Sequence, residues 1–314
     1  MKKPARQVVQ ATAPRISVVI PHLNEPDNLQ RCLEAIYQAG KRGPAFEVIV
    51  ADNGSATPPD AVCAQFPGVR VVVEAQPGPG PARNAGAALA RGDLICFIDA
   101  DCFVAPDYFA VCLDFFDTHP KCDFVGGSIG IVPSLPPGLT PSEAYEAAFS
   151  YRTEMFVRKQ GFAATGNMVV RRSVFRAVGP FAGIARHEDR VWGNKAVALE
   201  YNIAYLPAAR VLTVGCRDVA QLLKRVERHV VHDWTEQRSS LSARLKWICT
   251  AGLVLLSSPL AIREIVRCPQ IDSFMLGFQV FIYLCRIRSY RSWLMLTLLL
   301  SDSANHRLSG WNRT

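Results

Sequence analysis

Leu94-Ile-Cys-Phe-Ile-Asp-Ala-Asp101 is the stretch that decides the fold. The apolar run Leu94 to Ile98 reads as a buried strand. Two carboxylates separated by one residue then stand where that strand must end. Buried charge is costly unless it is paired or binds a metal. Hard divalent cations take oxygen ligands, and Mg²⁺ is often held by one or two carboxylates together with substrate phosphates. Asp99 and Asp101 therefore suggest a metal–diphosphate site. An isolated pair of this kind is more often a polar strand-to-loop turn, so its surroundings decide.

Upstream, strand and helix signals alternate. Strands are predicted at Ile16–Ile20, Phe46–Ala51 and Val69–Val73, with helices over Asn28–Ala39, Asp60–Phe66 and Ala82–Ala90. This order implies a parallel sheet with right-handed crossovers and helices on both faces. The polar residues then fall into place. Asn24 and Glu25 follow the first strand; Asp52, Asn53 and Ser55 follow the second. A Gly/Pro-rich loop follows the third, and Asp99 with Asp101 the fourth. Open α/β sheets bind ligands at that edge, and four such coincidences outweigh any single motif.

Downstream, helices are expected over Asp107–Asp117, Tyr145–Lys159, Arg172–Val178 and Arg186–Leu199. Strands are expected at Phe124–Val132, Thr165–Val170 and Ile203–Leu206, and a proline-rich loop at 133–141. After about Gly215 the character changes. Val219–Trp234 reads as a basic helix, followed by apolar stretches at Ile248–Ile262, Phe274–Cys285 and Trp293–Leu300. The first is shorter than the roughly 20 residues of a simple membrane span and contains Ser257, Ser258 and Pro259. Basic residues mixed with Trp, Phe and Leu suit helices lying in a membrane interface. A helical subdomain packed on the main domain, or a re-entrant helix pair, fits the same pattern. The expected division is a lead-in over 1–14, an α/β domain over 15–215 and a helical region over 216–314.

The net charge of +8 suits anionic partners: nucleotide diphosphates or an anionic membrane surface. Nucleic acid ranks low, without an aromatic RNA-binding signature or zinc-finger spacing. The ten cysteines include no C-x-x-C pair. They read as buried small hydrophobes, favouring a reducing compartment over a disulfide framework. The first fifteen residues are basic and polar, unlike a secretory signal.

Six segments carry a family resemblance: Ser17-Val-Val-Ile-Pro-His-Leu-Asn-Glu25, Ala51-Asp-Asn-Gly-Ser55, Gly80-Pro-Ala-Arg-Asn-Ala-Gly86, Phe97-Ile-Asp-Ala-Asp101, Thr165-Gly-Asn-Met168 with Phe175-Arg-Ala-Val-Gly179, and His187-Glu-Asp189. In order and spacing they resemble a family 2 glycosyltransferase over about residues 15–215. The resemblance implies an α/β GT-A (Rossmann-like) fold, a mixed, mostly parallel sheet flanked by helices, here with a C-terminal helical membrane-associating appendage. It implies an inverting enzyme that takes a nucleotide sugar, UDP-linked by expectation, and extends a saccharide or lipid-linked acceptor. Such work would suit bacterial polysaccharide or glycolipid synthesis at the cytoplasmic face of the inner membrane.

By the same resemblance, Asp52 would accept a hydrogen bond from the base, with Glu25 and the backbone near Pro21 against the nucleoside. Arg83 would approach the diphosphate. Asp99 would bind ribose or a metal-bound water, and Asp101 would ligate Mn²⁺ or Mg²⁺. Gly166 and Asn167 would line the sugar and acceptor pocket, with His187 at its edge and Trp192 as an acceptor platform or a core residue. The base that deprotonates the acceptor would be Asp189, with Glu188 as runner-up. Adjacent helical residues do not share a face, so only one of the two should point into the site. An acidic helix N-terminus, favoured by the macrodipole, is the structural alternative.

Two departures stand out. Many relatives carry a metal-reaching histidine where this chain has Thr213, Val214 and Gly215. The Q-x-x-R-W motif of processive synthases is also absent, and Lys224-Arg-Val-Glu-Arg-His229 occupies a comparable region. Single addition is therefore expected, with Arg225 and Arg228 as diphosphate or lipid-phosphate contacts, or as a solvated helix face. A sugar nucleotidyltransferase would want a glycine-rich loop after the first strand, where Pro21-His-Leu-Asn-Glu25 stands. A non-catalytic nucleotide-sugar-binding or scaffold protein would not need both acidic pairs.

Overall fold

The computed structural model describes residues 13–41, 43–134, 138–183, 187–216, 218–237 and 240–300. Nearly all of the lead-in and part of the 133–141 loop lie outside the described residues.

The elements β1 (Ile16–His22), α1 (Pro26–Gly40), β2 (Phe46–Asp52), α2 (Asp60–Cys63), β3 (Arg70–Val73), α3 (Pro79–Leu89) and β4 (Leu94–Ile98) alternate as the sequence predicts. The strands pair in parallel in the order β3-β2-β1-β4. Every residue of β4 is buried, and so is β1 apart from Pro21. Ile16, Val18 and Ile20 enter one core with Leu29 and Leu33 of α1. Val19, Ile49, Ile95 and Phe97 enter a second core on the opposite face. A parallel sheet covered on both faces needs apolar residues at every position, which is why these strands read as continuous runs.

The sheet continues through β5 (Cys102–Val104), α4 (Tyr108–Thr118), β6 (Phe124–Val132), α5 (Pro141–Phe149), α6 (Thr153–Gln160), β7 (Asn167–Arg171), α7 (Arg172–Val178), α8 (Glu188–Ala198) and β8 (Ile203–Val214). Its full order is β3-β2-β1-β4-β7-β6-β8-β5. β7 runs antiparallel to β4, with Asn167 opposite Ile98. That reversal carries the start of β7 to the end of β4, beside Asp99 and Asp101. β6 pairs antiparallel with β7 and parallel with β8. The sheet is therefore mixed and mostly parallel, as the resemblance implies.

β8 runs past the point where Pro207 suggests an end. Gly127 pairs with Leu206 but Ser128 pairs with Arg210, so residues 207–209 form a bulge. Proline is tolerated there because no ladder N–H is required. The bulge is held by Asn167, whose Nδ2 donates to Ser128 O at 2.9 Å and Ala209 O at 2.8 Å. Its Oδ1 accepts from Tyr108 Oη at 2.8 Å. A Cβ on Gly127 would lie 2.3 Å from Asn167 Nδ2, so only glycine fits. Asn167 is 1 % exposed. It is a latch inside the sheet, and the expectation that it lines a pocket is corrected. Trp192 is corrected likewise. It packs against Phe124, Phe175 and Phe181, its Nε1 donates to Gly179 O at 2.8 Å, and it offers no platform.

Tyr145–Lys159, expected as one helix, falls in two. Thr140 and Glu143 form a capping box that starts α5 earlier, and α5 ends before Ser150. The C-terminal region comprises α9 (Val219–Gln237), α10 (Leu241–Leu256), a 3₁₀ turn (Pro259–Ala261), α11 (Ile262–Arg267) and α12 (Phe274–Leu300). The last two apolar stretches are one helix. The arginines between them do not break it, because arginine is a good helix former. Arg288 also donates to Ser257 Oγ, and Arg291 faces Asp233. Val230, Val231 and Trp234 of α9 pack on Trp247 of α10 and on Leu294, Met295 and Leu298 of α12. All ten cysteines are free, and seven are buried.

Asn167→Ala would orphan the buried Ala209 carbonyl, the half-buried Ser128 carbonyl and the buried Tyr108 hydroxyl. A loss on the order of 3 kcal/mol in unfolding free energy is expected, read from a urea titration. Unchanged stability would remove the latch.

Candidate active site

The polar residues gather at one edge of the sheet because parallel β1, β2 and β4 end there and antiparallel β7 begins there. Pro21 and Glu25 flank the end of β1, Asp52 closes β2, and Gly166 precedes β7. Asp52 is buried. Its Oδ1 accepts from Ser55 Oγ at 2.6 Å and from His22 Nδ1 at 3.0 Å, and its Oδ2 accepts from Ser55 N at 3.1 Å. Burial works to raise its pKa, but these hydrogen bonds outweigh it and hold the carboxyl below its ordinary value. His22 Nε2 accepts from Glu25 N at 3.3 Å, so Nδ1 carries the proton. Asp52 thus organises the loops, leaving one lone pair on Oδ2 for a base. Asn53 accepts from Gly78 N and donates to Glu74 O and Gln76 O, shaping the loop before α3. Gly80 lies so close to Ala182 O, 2.2 Å from a would-be Cβ, that a side chain is excluded.

Arg83 is the hub. Its guanidinium is buried, with Nη2 donating to Asp99 Oδ1 at 2.5 Å and Nη1 to Glu188 Oε1 at 2.8 Å. Burial works to lower its pKa, and the two carboxylates more than offset this and keep it charged. Gly166 sits against the same group, a would-be Cβ falling 3.0 Å from Asp99 Oδ2. Asp101 has no cation within ion-pair distance among the described residues. Burial raises its pKa, and the negative charges of Asp99 and Glu25 raise it further.

The two acidic residues of α8 differ in the same way. Glu188 is paired with Arg83, whereas among the described residues Asp189 accepts only from the adjacent backbone, Arg190 N, at 2.7 Å. Burial, then the charge of Glu188, pushes Asp189 up to about 6. His187, just before α8, contacts Asp233 Oδ1 through Nε2 at 3.4 Å and packs edge-on against His229, 5.4 Å between centroids.

Helix α9 supplies Arg225 and Arg228, which the basic run marks in the sequence, and Asp233, which no local pattern marks. Arg225 pairs with buried Glu146 of α5 and lies 3.4 Å from Tyr151 Oη. Its charge reaches Asp101. Glu146 also accepts from Cys216 N. Arg228 is exposed and has no carboxylate within ion-pair distance among the described residues. Asp233 accepts from His187 and faces Arg190 at 3.4 Å and Arg291 at 3.7 Å. Burial would raise the Asp233 pKa, but these partners bring it below the ordinary carboxylate range. The only legible hint was the basic run Lys224–His229; Glu146 and Tyr151 lie some 75 residues away in sequence. Thr213, where a histidine was missed, is buried and pairs with Cys102 in the sheet.

The model of glycosyl transferase family 2 matches residues 17–179. The chain belongs to that family. Glycosyltransferase AglE of Haloferax volcanii is 29% identical over 243 residues, 74% of this chain and 78% of that protein. Succinoglycan biosynthesis protein ExoO of Rhizobium meliloti is 36% identical over 97 residues, 30% of this chain and 27% of that protein. Among solved structures, a mannosyltransferase from Pyrobaculum calidifontis, in complex with GDP-Man and Mn²⁺, aligns with TM-score 0.59 at 17% identity, covering 92% of this chain and 88% of that one. S. aureus TarS aligns with TM-score 0.51 at 16% identity, covering 89% of this chain and 54% of that one. These likenesses establish the GT-A fold with its helical extension, and the chain is a glycosyltransferase.

Arg83→Lys should not restore the bridge, because one ammonium cannot span two carboxylates as a guanidinium fork does. A loss on the order of 3 kcal/mol is expected in chemical denaturation. A variant as stable as the parent would show that the bridge carries no weight.

Proposed function

We propose that the chain transfers a single sugar from a nucleoside-diphosphate sugar to a hydroxyl of a saccharide or lipid-linked acceptor, with inversion. The observation that carries this reading is the split within Glu188-Asp189. Arg83 holds one carboxylate, while the other is half-buried, has no ion-pair partner among the described residues and is shifted to about 6. A general base works best with a pKa near the operating pH, which favours Asp189 over Glu188.

In this reading Asp189 takes the acceptor proton. The acceptor oxygen attacks the anomeric carbon from the face opposite the nucleotide, and the bond to the diphosphate breaks. Glu25 and the Asp52 loops receive the nucleoside, and Arg83 with Asp99 shapes the floor beneath the sugar and ribose. His187 and Gly166 border the sugar and acceptor space.

The residues fit a divalent cation in a limited way. Among the described residues no three acidic, histidine or cysteine side chains converge on one point. Asp101 stands in an excess of negative charge, which a bound cation would relieve. Asp101 would hold Mn²⁺ or Mg²⁺ together with donor phosphate oxygens and water, Asp99 acting through a metal-bound water. When bound, the ion would stabilise the leaving diphosphate. A UDP-sugar is the expected donor. The mannosyltransferase complex with GDP-Man and the complex of S. aureus TarS 1–349 with UDP-GlcNAc (TM-score 0.50, 15% identity) support a nucleotide sugar of either base. The similarity to the succinoglycan biosynthesis protein ExoO supports a place in surface-polysaccharide or glycolipid synthesis.

Calorimetric titration with UDP, GDP and their sugars, with and without Mn²⁺, tests the donor. Metal-dependent binding of one nucleotide, lost in Asp101→Ala, is expected; no binding of any would overturn the reading. Asp189→Asn should lower kcat at least about a hundredfold and leave the nucleotide Kd unchanged. Because the base must be deprotonated, kcat/KM should fall tenfold per pH unit below about 6. A profile flat through that range would exclude Asp189.

A further inference from the structure

Among the described residues, sixteen of the twenty-two exposed large apolar side chains fall between Leu241 and Leu300. Leu256, Leu260, Val266 and Phe274 are 76 to 89% exposed. α10 and α11 meet at a 60° bend, and these residues stand on both sides of it and at the start of α12. α12 buries Val280, Leu284, Ile287, Leu294 and Leu298 while exposing Phe274, Phe278 and Ile282 at four-residue spacing. A helix apolar on two faces has a second apolar neighbour to find, and a patch of this extent marks an interaction surface.

Charge identifies the neighbour. Residues 241–300 carry seven basic and two acidic side chains, more than half of the net +8 of the whole chain. Arg244, Lys246, Arg263, Arg267 and Arg286 are exposed among the apolar residues. A second copy of the chain would set this surface against itself, positive on positive, because a two-fold contact buries the same patch on both partners. An anionic lipid surface carries the complementary sign. Among the described residues no single helix is long and apolar enough to cross a membrane, and the bent pair Leu241–Leu256 with Pro259–Arg267 passes only jointly.

We infer that α10, α11 and α12 form a docking surface that seats the apolar bend in one leaflet of an anionic bilayer, with the arginines at headgroup level. α9 ties this layer to the site. Its Val230, Val231 and Trp234 pack on α10 and α12, while its Arg225 and Asp233 stand among the active-site residues. Docking therefore fixes the site relative to the lipid surface. The inference does not depend on the transfer chemistry.

Flotation of the full chain with phosphatidylcholine vesicles, with and without phosphatidylglycerol, tests it. Strong flotation with phosphatidylglycerol, weakened by salt, is expected, and L256E with F274E should reduce it roughly tenfold or more. R244E with K246E should remove the preference for the anionic lipid. Circular dichroism confirms that each variant is folded, independently of any nucleotide titration. Absence of flotation by the folded parent, or flotation indifferent to both variants, overturns the inference. So does a lipid-free dimer that L256E dissociates, which would make the patch a contact between copies.

Discussion

A guanidinium buried alone would cost several kcal/mol, and two carboxylates close together at a sheet edge would repel. Arg83 settles both problems at once, donating to Asp99 from one nitrogen and to Glu188 from the other. The interaction ties together α3, the loop after β4 and the first turn of α8, which are separated by up to 105 residues. It also decides the chemistry of its neighbours. Glu188 is held by the Arg83 hydrogen bond. For Asp189, desolvation and the negative charge of Glu188 outweigh the opposing charges of Arg83 and His187.

The second constraint is the bulge in β8. Three extra residues on that strand release carbonyls that would be orphaned inside the sheet. Asn167 answers one of them, Ala209 O, together with Ser128 O of the facing strand β6, and anchors on Tyr108; Gly127 leaves the space it occupies. An asparagine that looks like a ligand-binding residue in sequence is thereby absorbed by the backbone. Its neighbour Gly166 stays at the site because the chain passes within van der Waals reach of Asp99.

Helix α9 is where the two parts of the molecule meet. One side presents Arg225 toward Asp101 and Asp233 toward His187; the other buries Trp234 against the C-terminal helices. Arg291 of α12 shares Asp233 with His187 and Arg190. The helical layer is thus joined to the helix that carries Asp189 through the Asp233 carboxylate.

Much of this was legible in the sequence. Continuous apolar runs gave the buried strands, since a sheet covered on both faces leaves no polar position. Polar residues directly after those runs marked the ligand edge, and the order of the motifs carried the family. Pro207 misled because proline ends a regular strand, and the bulge that tolerates it depends on pairing with β6. Trp192 could be core or platform until Phe124, Phe175 and Phe181 enclosed it. The partners of Arg83, Arg225 and Asp233 could not be read, because ion pairs across 16 to 105 residues leave no local spacing. Sequence by itself determined the strands, the ligand edge and the residues able to do chemistry. Tertiary structure alone decided which carboxylate is paired and which is left unpaired, because pairing and burial are properties of distance in space.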